Sequence, residues 1–125
     1  MRKSKKHKNL GGIFVIQNVN EFVKYFDNVR KRTLQYVKDV PNSLLDWKPA
    51  EQKFSTGDLL RHMASSQLMF LHLFSEGKWQ YPGHEEDKGK TIDEIALYLE
   101  ECHEKFIQGM LALDDHLLEK KIETL

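Results

Sequence analysis

Apolar residues return at three- and four-residue intervals along three stretches of the chain, separated by polar connections rich in proline, glycine and charge. In the first stretch Val19, Phe22, Val23, Phe26, Val29, Thr33, Tyr36, Val37 and Val40 keep to one face. That spacing predicts an amphipathic helix of about six turns from Val19 to Val40. Asn18, with Glu21 three positions on, supplies a capping signal, and Pro41 ends the run because proline disfavours the α region in the residue before it. In the second stretch Leu59, Leu60, Met63, Gln67, Phe70, Leu71 and Phe74 form the expected buried stripe of a helix from Thr56 to Glu76. Ser55 and Asp58 open it and Gly77 closes it. The third helix is expected from Ile92 to Leu113, opened by Thr91 and Glu94, with Ile92, Ile95, Ala96, Leu99, Cys102, His103, Phe106, Met110 and Leu113 inward. No alternating strand pattern survives beyond Ile13 to Val19, so the fold class is all-α.

The connection from Gly77 to Lys90 decides how the second and third helices are arranged. It holds 14 residues, whereas a helical hairpin needs about 2 to 8. Fully extended it reaches ~46 Å, more than the ~30 Å length of a 20-residue helix. It can therefore cross the bundle and set the two helices parallel. Beyond the third helix, Leu117, Leu118 and Ile122 are expected to add a helical turn.

Composition narrows the function more than it defines it. At 125 residues and 40% hydrophobic the chain is one domain with one core. Basic and acidic residues both number 19, but Arg2, Lys3, Lys5, Lys6 and Lys8 concentrate positive charge at the start. Residues 1–17 thus read as a basic flexible extension and 18–125 as the helical domain. A neutral molecule without interleaved aromatics in its basic segment gives no argument for a nucleic-acid partner. No apolar run approaches the ~20 residues of a membrane span, and Ile13 to Ile16 is shorter than a signal peptide's apolar region of at least ~7. No membrane partner and a cytoplasmic location are expected. Cys102, the single cysteine, rules out a disulfide framework and reads as a small buried hydrophobe.

Candidate chemistry rests on six histidines, none of which forms an i, i+4 pair. His62 and His72 share a helix but stand ~15 Å apart along its axis, too far to share one ion. His84, beside Glu85, Glu86 and Asp87, reads as part of a solvated charged turn, with a loose metal site as the sharper alternative. His103, inside an apolar stripe, reads as a hydrogen-bonded core histidine. His62 is either a partly buried histidine satisfied by one carbonyl or one ligand of an interhelical metal site. The serines have no base and orienter at recognisable spacing, and no glycine-rich phosphate loop is present.

Pro41-Asn42-Ser43-Leu44-Leu45-Asp46-Trp47-Lys48-Pro49, followed by Phe54-Ser55-Thr56-Gly57-Asp58-Leu59-Leu60-Arg61-His62-Met63-Ala64, resembles the DinB/YfiT-like metalloenzyme family. The likeness runs from about Val19 to the end of the chain. It implies an up-down-down-up four-helix bundle, here with three long helices and without the fourth. It also implies a divalent metal, zinc or nickel, held by one histidine of the second helix and an H-x-x-x-H pair on the fourth. Family members of known activity transfer low-molecular-weight thiols such as bacillithiol or mycothiol, which the metal activates as the thiolate. By residue match only His62 carries over, because the chain contains no H-x-x-x-H pair. The expectation is thus a relative of thiol transferases with an incomplete metal site and weak or no activity. The competing expectation is a non-catalytic helical interaction module that self-associates over the groove left by the fourth helix, as a homo-oligomer.

Overall fold

The computed structural model describes residues 16–80 and 86–116. They contain three long helices, α1 (Val19–Lys38), α2 (Thr56–Glu76) and α3 (Ile92–Leu111), with single 3-10 turns at Asn42–Leu44 and Glu86–Lys88. No strand occurs among the described residues, and none of their helices is long and apolar enough to cross a membrane. All but Ile16 and Gln17 of the basic extension, His84 and Glu85, and the turn expected from Leu117, Leu118 and Ile122 lie outside the described residues.

Each helix begins where its sequence signals. The Asn18 side chain accepts the Glu21 N–H at 2.8 Å, Ser55 Oγ accepts that of Asp58 at 3.0 Å, and Thr91 Oγ1 accepts that of Glu94 at 3.2 Å. Each bond satisfies a donor that has no partner inside its helix. The reciprocal half of the capping box closes only at α2, where Asp58 Oδ2 accepts the Ser55 N–H at 3.1 Å. Glu21 and Glu94 are one methylene longer and reach past their caps, to the N–H groups of Gln17 and Lys90. At its far end α2 stops on Gly77, whose φ of 75° places it in the left-handed region that favours glycine. The helices α1 and α3 end two residues short of Val40 and Leu113. There the N–H groups of Asp39, Val40, Ala112 and Leu113 bond three residues back and tighten the last turn.

Cross-helix pairs give the helix directions. Going along α2 from Arg61 to Gln67 to Leu71, the partners are Gly89, His103 and Gly109. Both helices advance the same way, as the long connection allows. By contrast α1 runs against α3. The Val19 N–H donates to Asp115, Asp27 meets His103, and the Asn42 side chain accepts the Ile92 N–H. The order is up-down-down, with α3 packed against both other helices while the backbones of α1 and α2 stay apart.

Two apolar clusters form the core. One gathers Val37, Leu45, Ala64, Ile92, Ile95, Leu99 and Cys102; the other gathers Val19, Val23, Phe106 and Met110 with the half-buried Phe22, Phe26, Leu71 and Phe74. On every helix a polar residue lies between the two: Asp27 on α1, Gln67 on α2 and His103 on α3. The expected stripes of α1 and α3 are largely inward, but Tyr36 is 69% exposed. The expected stripe of α2 is rotated. Leu59 and Phe70 are exposed, whereas Arg61, Ala64, Ser65, Met69 and Leu73 are buried along with Gln67. Apolar residues surround α2 almost completely, so spacing does not select its inner face. The selection comes from close approach, since a Cβ at Gly109 of α3 would collide with the Leu71 side chain.

Candidate functional site

The segment from Leu45 to His62, which carries the family-like pattern, is tied down by main-chain bonds before any side chain is considered. The carbonyl of Trp47 accepts the Thr56 N–H at 2.9 Å and that of Leu45 accepts the Gly57 N–H at 2.8 Å. The connection is thereby folded back on the first turn of α2. Gly57 permits this closeness, because a Cβ there would stand 3.1 Å from both Leu45 O and Arg61 Nη1.

Asp58 and Arg61 extend the fastening to α3. Arg61 Nη2 meets Asp58 Oδ1 at 2.8 Å, and its Nη1 donates to the carbonyl of Gly89 at 2.7 Å. Burial opposes ionisation of Asp58. The hydrogen bonds from Ser55 and Arg61 outweigh it, so the carboxyl lies below its ordinary pKa. Sequence reasoning passes over Arg61, whose buried position one residue before the candidate ligand has no signal in the apolar periodicity. With Thr56, Gly57 and Asp58 all donating locally and Leu59 bonded to Ser55, no main-chain donor of the first turn is left for an anion.

His62 follows directly on this strapped turn and is partly buried. Gln67 and His103 stand at one height, so His62, five residues earlier on α2, lies ~7.5 Å away along the axis. The imidazole of His103 has both nitrogens engaged: Nε2 with Asp27 at 2.8 Å and Nδ1 with Gln67 at 3.2 Å. The core reading of His103 holds, and neither of its nitrogens is free to bind an ion alongside His62. His72 is partly buried and His116 exposed. Among the described residues no three His, Cys, Asp or Glu side chains gather into a group able to hold a metal ion. The ligand set that the resemblance implies is therefore not complete within them.

The Asp27–His103–Gln67 layer is the other polar feature of the interior. Lys31 joins it with an ion pair to Asp27 at 3.0 Å. The hydrogen bond from His103, followed by that from Lys31, holds the Asp27 carboxyl below its ordinary pKa. Gln67 and His103 each interrupt an apolar stripe, which is the signal that marks them in the sequence. Asp27, one position from Phe26, has no such signal.

No curated protein and no solved structure gives a significant match to the chain. The three long helices and their up-down-down order agree with the family whose model matches residues 25–124, and the chain belongs to the DinB superfamily.

Proposed function

We propose that the domain is a relative of metal-dependent low-molecular-weight thiol transferases that retains one ligand, His62, of a zinc or nickel site and has weak or no activity by itself. The supporting observation is the Ser55–Asp58–Arg61–Gly89 fastening, which holds the turn bearing His62 at a fixed place against the entry to α3. A catalytic zinc keeps three protein ligands and one open position, and a single imidazole does not hold an ion firmly against water. Further ligands would come from another protein segment or a second copy. A metal so held would supply a thiolate at neutral pH by lowering the pKa of a bound thiol.

Calorimetric titration of the chain and of His62→Ala with zinc and with nickel tests this reading. Weak binding that disappears in His62→Ala, with no thiol transfer, is the expected result. Tight one-to-one binding that survives the substitution would overturn it.

A second reading, a self-associating interaction module, is favoured by the end of α2. Phe70 and Trp79 pack edge to face at 5.5 Å, yet each remains 43% exposed. Sedimentation above the mass of one chain, reduced in Phe70→Ser, is the outcome this reading requires.

A further inference from the structure

A cleft of about 220 Å³ opens between α1 and α3, and part of the charge on its walls is already matched. Asp27 is consumed by Lys31 at 3.0 Å and His103 at 2.8 Å. Glu104 accepts a hydrogen bond from Gln108 at 3.1 Å. Among the described residues three charges are left without a counter-ion: Arg30 on one wall and the carboxylates of Glu100 and Glu104 on the other. Arg30 lies over the Phe26 ring, 5.0 Å from its centroid, and its Nε is buried with no hydrogen-bond partner. Among the described residues its guanidinium forms no salt bridge, and neither does the carboxylate of Glu100. They line the same cleft without pairing with each other.

A guanidinium taken partly out of water without an acceptor is costly, and burial holds Arg30 below its ordinary pKa. Contact with the Phe26 ring uses none of the guanidinium's N–H donors, and with Nε enclosed it is the two Nη groups that are left for a ligand. A planar fork of N–H donors matches a carboxylate, and a free carboxylate matches the three donors of an ammonium. A purely anionic ligand would meet Glu100 and Glu104 across the cleft, and a purely cationic one would leave Arg30 unmatched. Only a molecule carrying both charges answers both residues.

We propose that the α1–α3 cleft binds a small zwitterion, its carboxylate on Arg30 and its ammonium on Glu100. The cleft is smaller than the ~300 Å³ at which pockets for drug-sized ligands begin, which limits its ligand to a small molecule. The site is separate from His62, which does not line it.

The test is an amide chemical-shift titration of the full chain at neutral pH and low salt. The probes are glycine, 4-aminobutyrate and 6-aminohexanoate, with butyrate and butylammonium as single-charge controls. At least one zwitterion is expected to shift the amides around Arg30 and Glu100 saturably, about tenfold tighter than either control, and to lose about tenfold in affinity in Arg30→Gln. Glu100→Gln, on an exposed position where folding is not at stake, is expected to cost as much for the zwitterion and nothing for butyrate. The proposal is overturned if no zwitterion saturates, if butyrate binds as tightly as the best zwitterion, or if binding survives Glu100→Gln unchanged.

Discussion

His103 Nε2 donates to Asp27 Oδ1 at 2.8 Å, joining α3 to α1 between the two apolar clusters. The bond to His103, with a second from Lys31, holds the Asp27 carboxyl below its unfolded value of about 3.9. A carboxyl depressed in the native state contributes stability that is complete above the unfolded pKa and is lost as pH falls through the native one. Wild type is therefore expected to exceed Asp27→Asn in stability at pH 7 by a margin that shrinks below about pH 4. Urea denaturation of both proteins across that range measures it. A margin unchanged down to pH 3 would show that Asp27 contributes no linkage.

Gln67 is 2% exposed and sits on the other side of the same imidazole. Gln67→Leu keeps the volume but leaves His103 Nδ1 without its partner in the interior, which costs about 1–3 kcal/mol. Replacing both groups removes the unmatched polar atom. The double variant Gln67→Leu/His103→Leu is therefore expected to recover a measurable part of that loss, because Asp27, one-third exposed, turns to water and Lys31. A double-mutant cycle by chemical denaturation reads the coupling.

Close approach of α2 and α3 at Gly109 yields a prediction in which two effects compete. Alanine in place of glycine gains up to about 1 kcal/mol of helix propensity, less in the last turn of a helix, where Gly109 lies. Here its Cβ would collide with the Leu71 side chain, and overpacking of a formed core costs about 1–3 kcal/mol. Gly109→Ala is expected to be destabilised on balance, and the same change made in Leu71→Ala to be neutral or stabilising. Equal effects in the two backgrounds would mean that the helices separate freely at this point.

The helix starts are legible in the sequence because capping is local: Asn18, Ser55 and Thr91 each find their partner three residues on. The parallel course of α2 and α3 is legible from the length of the Gly77 to Lys90 connection. The rotation of α2 is not, since it depends on where Leu71 meets Gly109, a contact between residues 71 and 109 that no local spacing records. Arg61 is hidden for a related reason. Its partner across the bundle is a main-chain carbonyl, which every residue has and no residue type announces. His62 is legible through the pattern around it, but a set of ligands is a property of the packed structure. Periodicity on one helix does not contain it.

The fastening around Arg61 gives the sharpest test of how the candidate ligand is held. Its side chain is 10% exposed and that of Asp58 17%, so the pair is largely withdrawn from water. Removing one member of a buried pair leaves the other uncompensated, and Arg61→Leu is expected to cost roughly 3 kcal/mol. Two acceptors lose their donor at once, Asp58 Oδ1 and the carbonyl of Gly89. Arg61→Lys is expected to restore only part of the loss, because an ammonium is a point donor and does not span both acceptors as the guanidinium fork does. Asp58→Asn keeps an oxygen for the Ser55 N–H and should cost less than Arg61→Leu. Hydrogen exchange distinguishes this strap from a general stabilising effect. In Arg61→Leu the amides of Lys90 and Ile92, at the entry to α3, are expected to lose more protection than those of Met110 and Leu111 at its far end. Uniform loss along α3 would show that Arg61 stabilises the whole bundle and does not fasten one end of it.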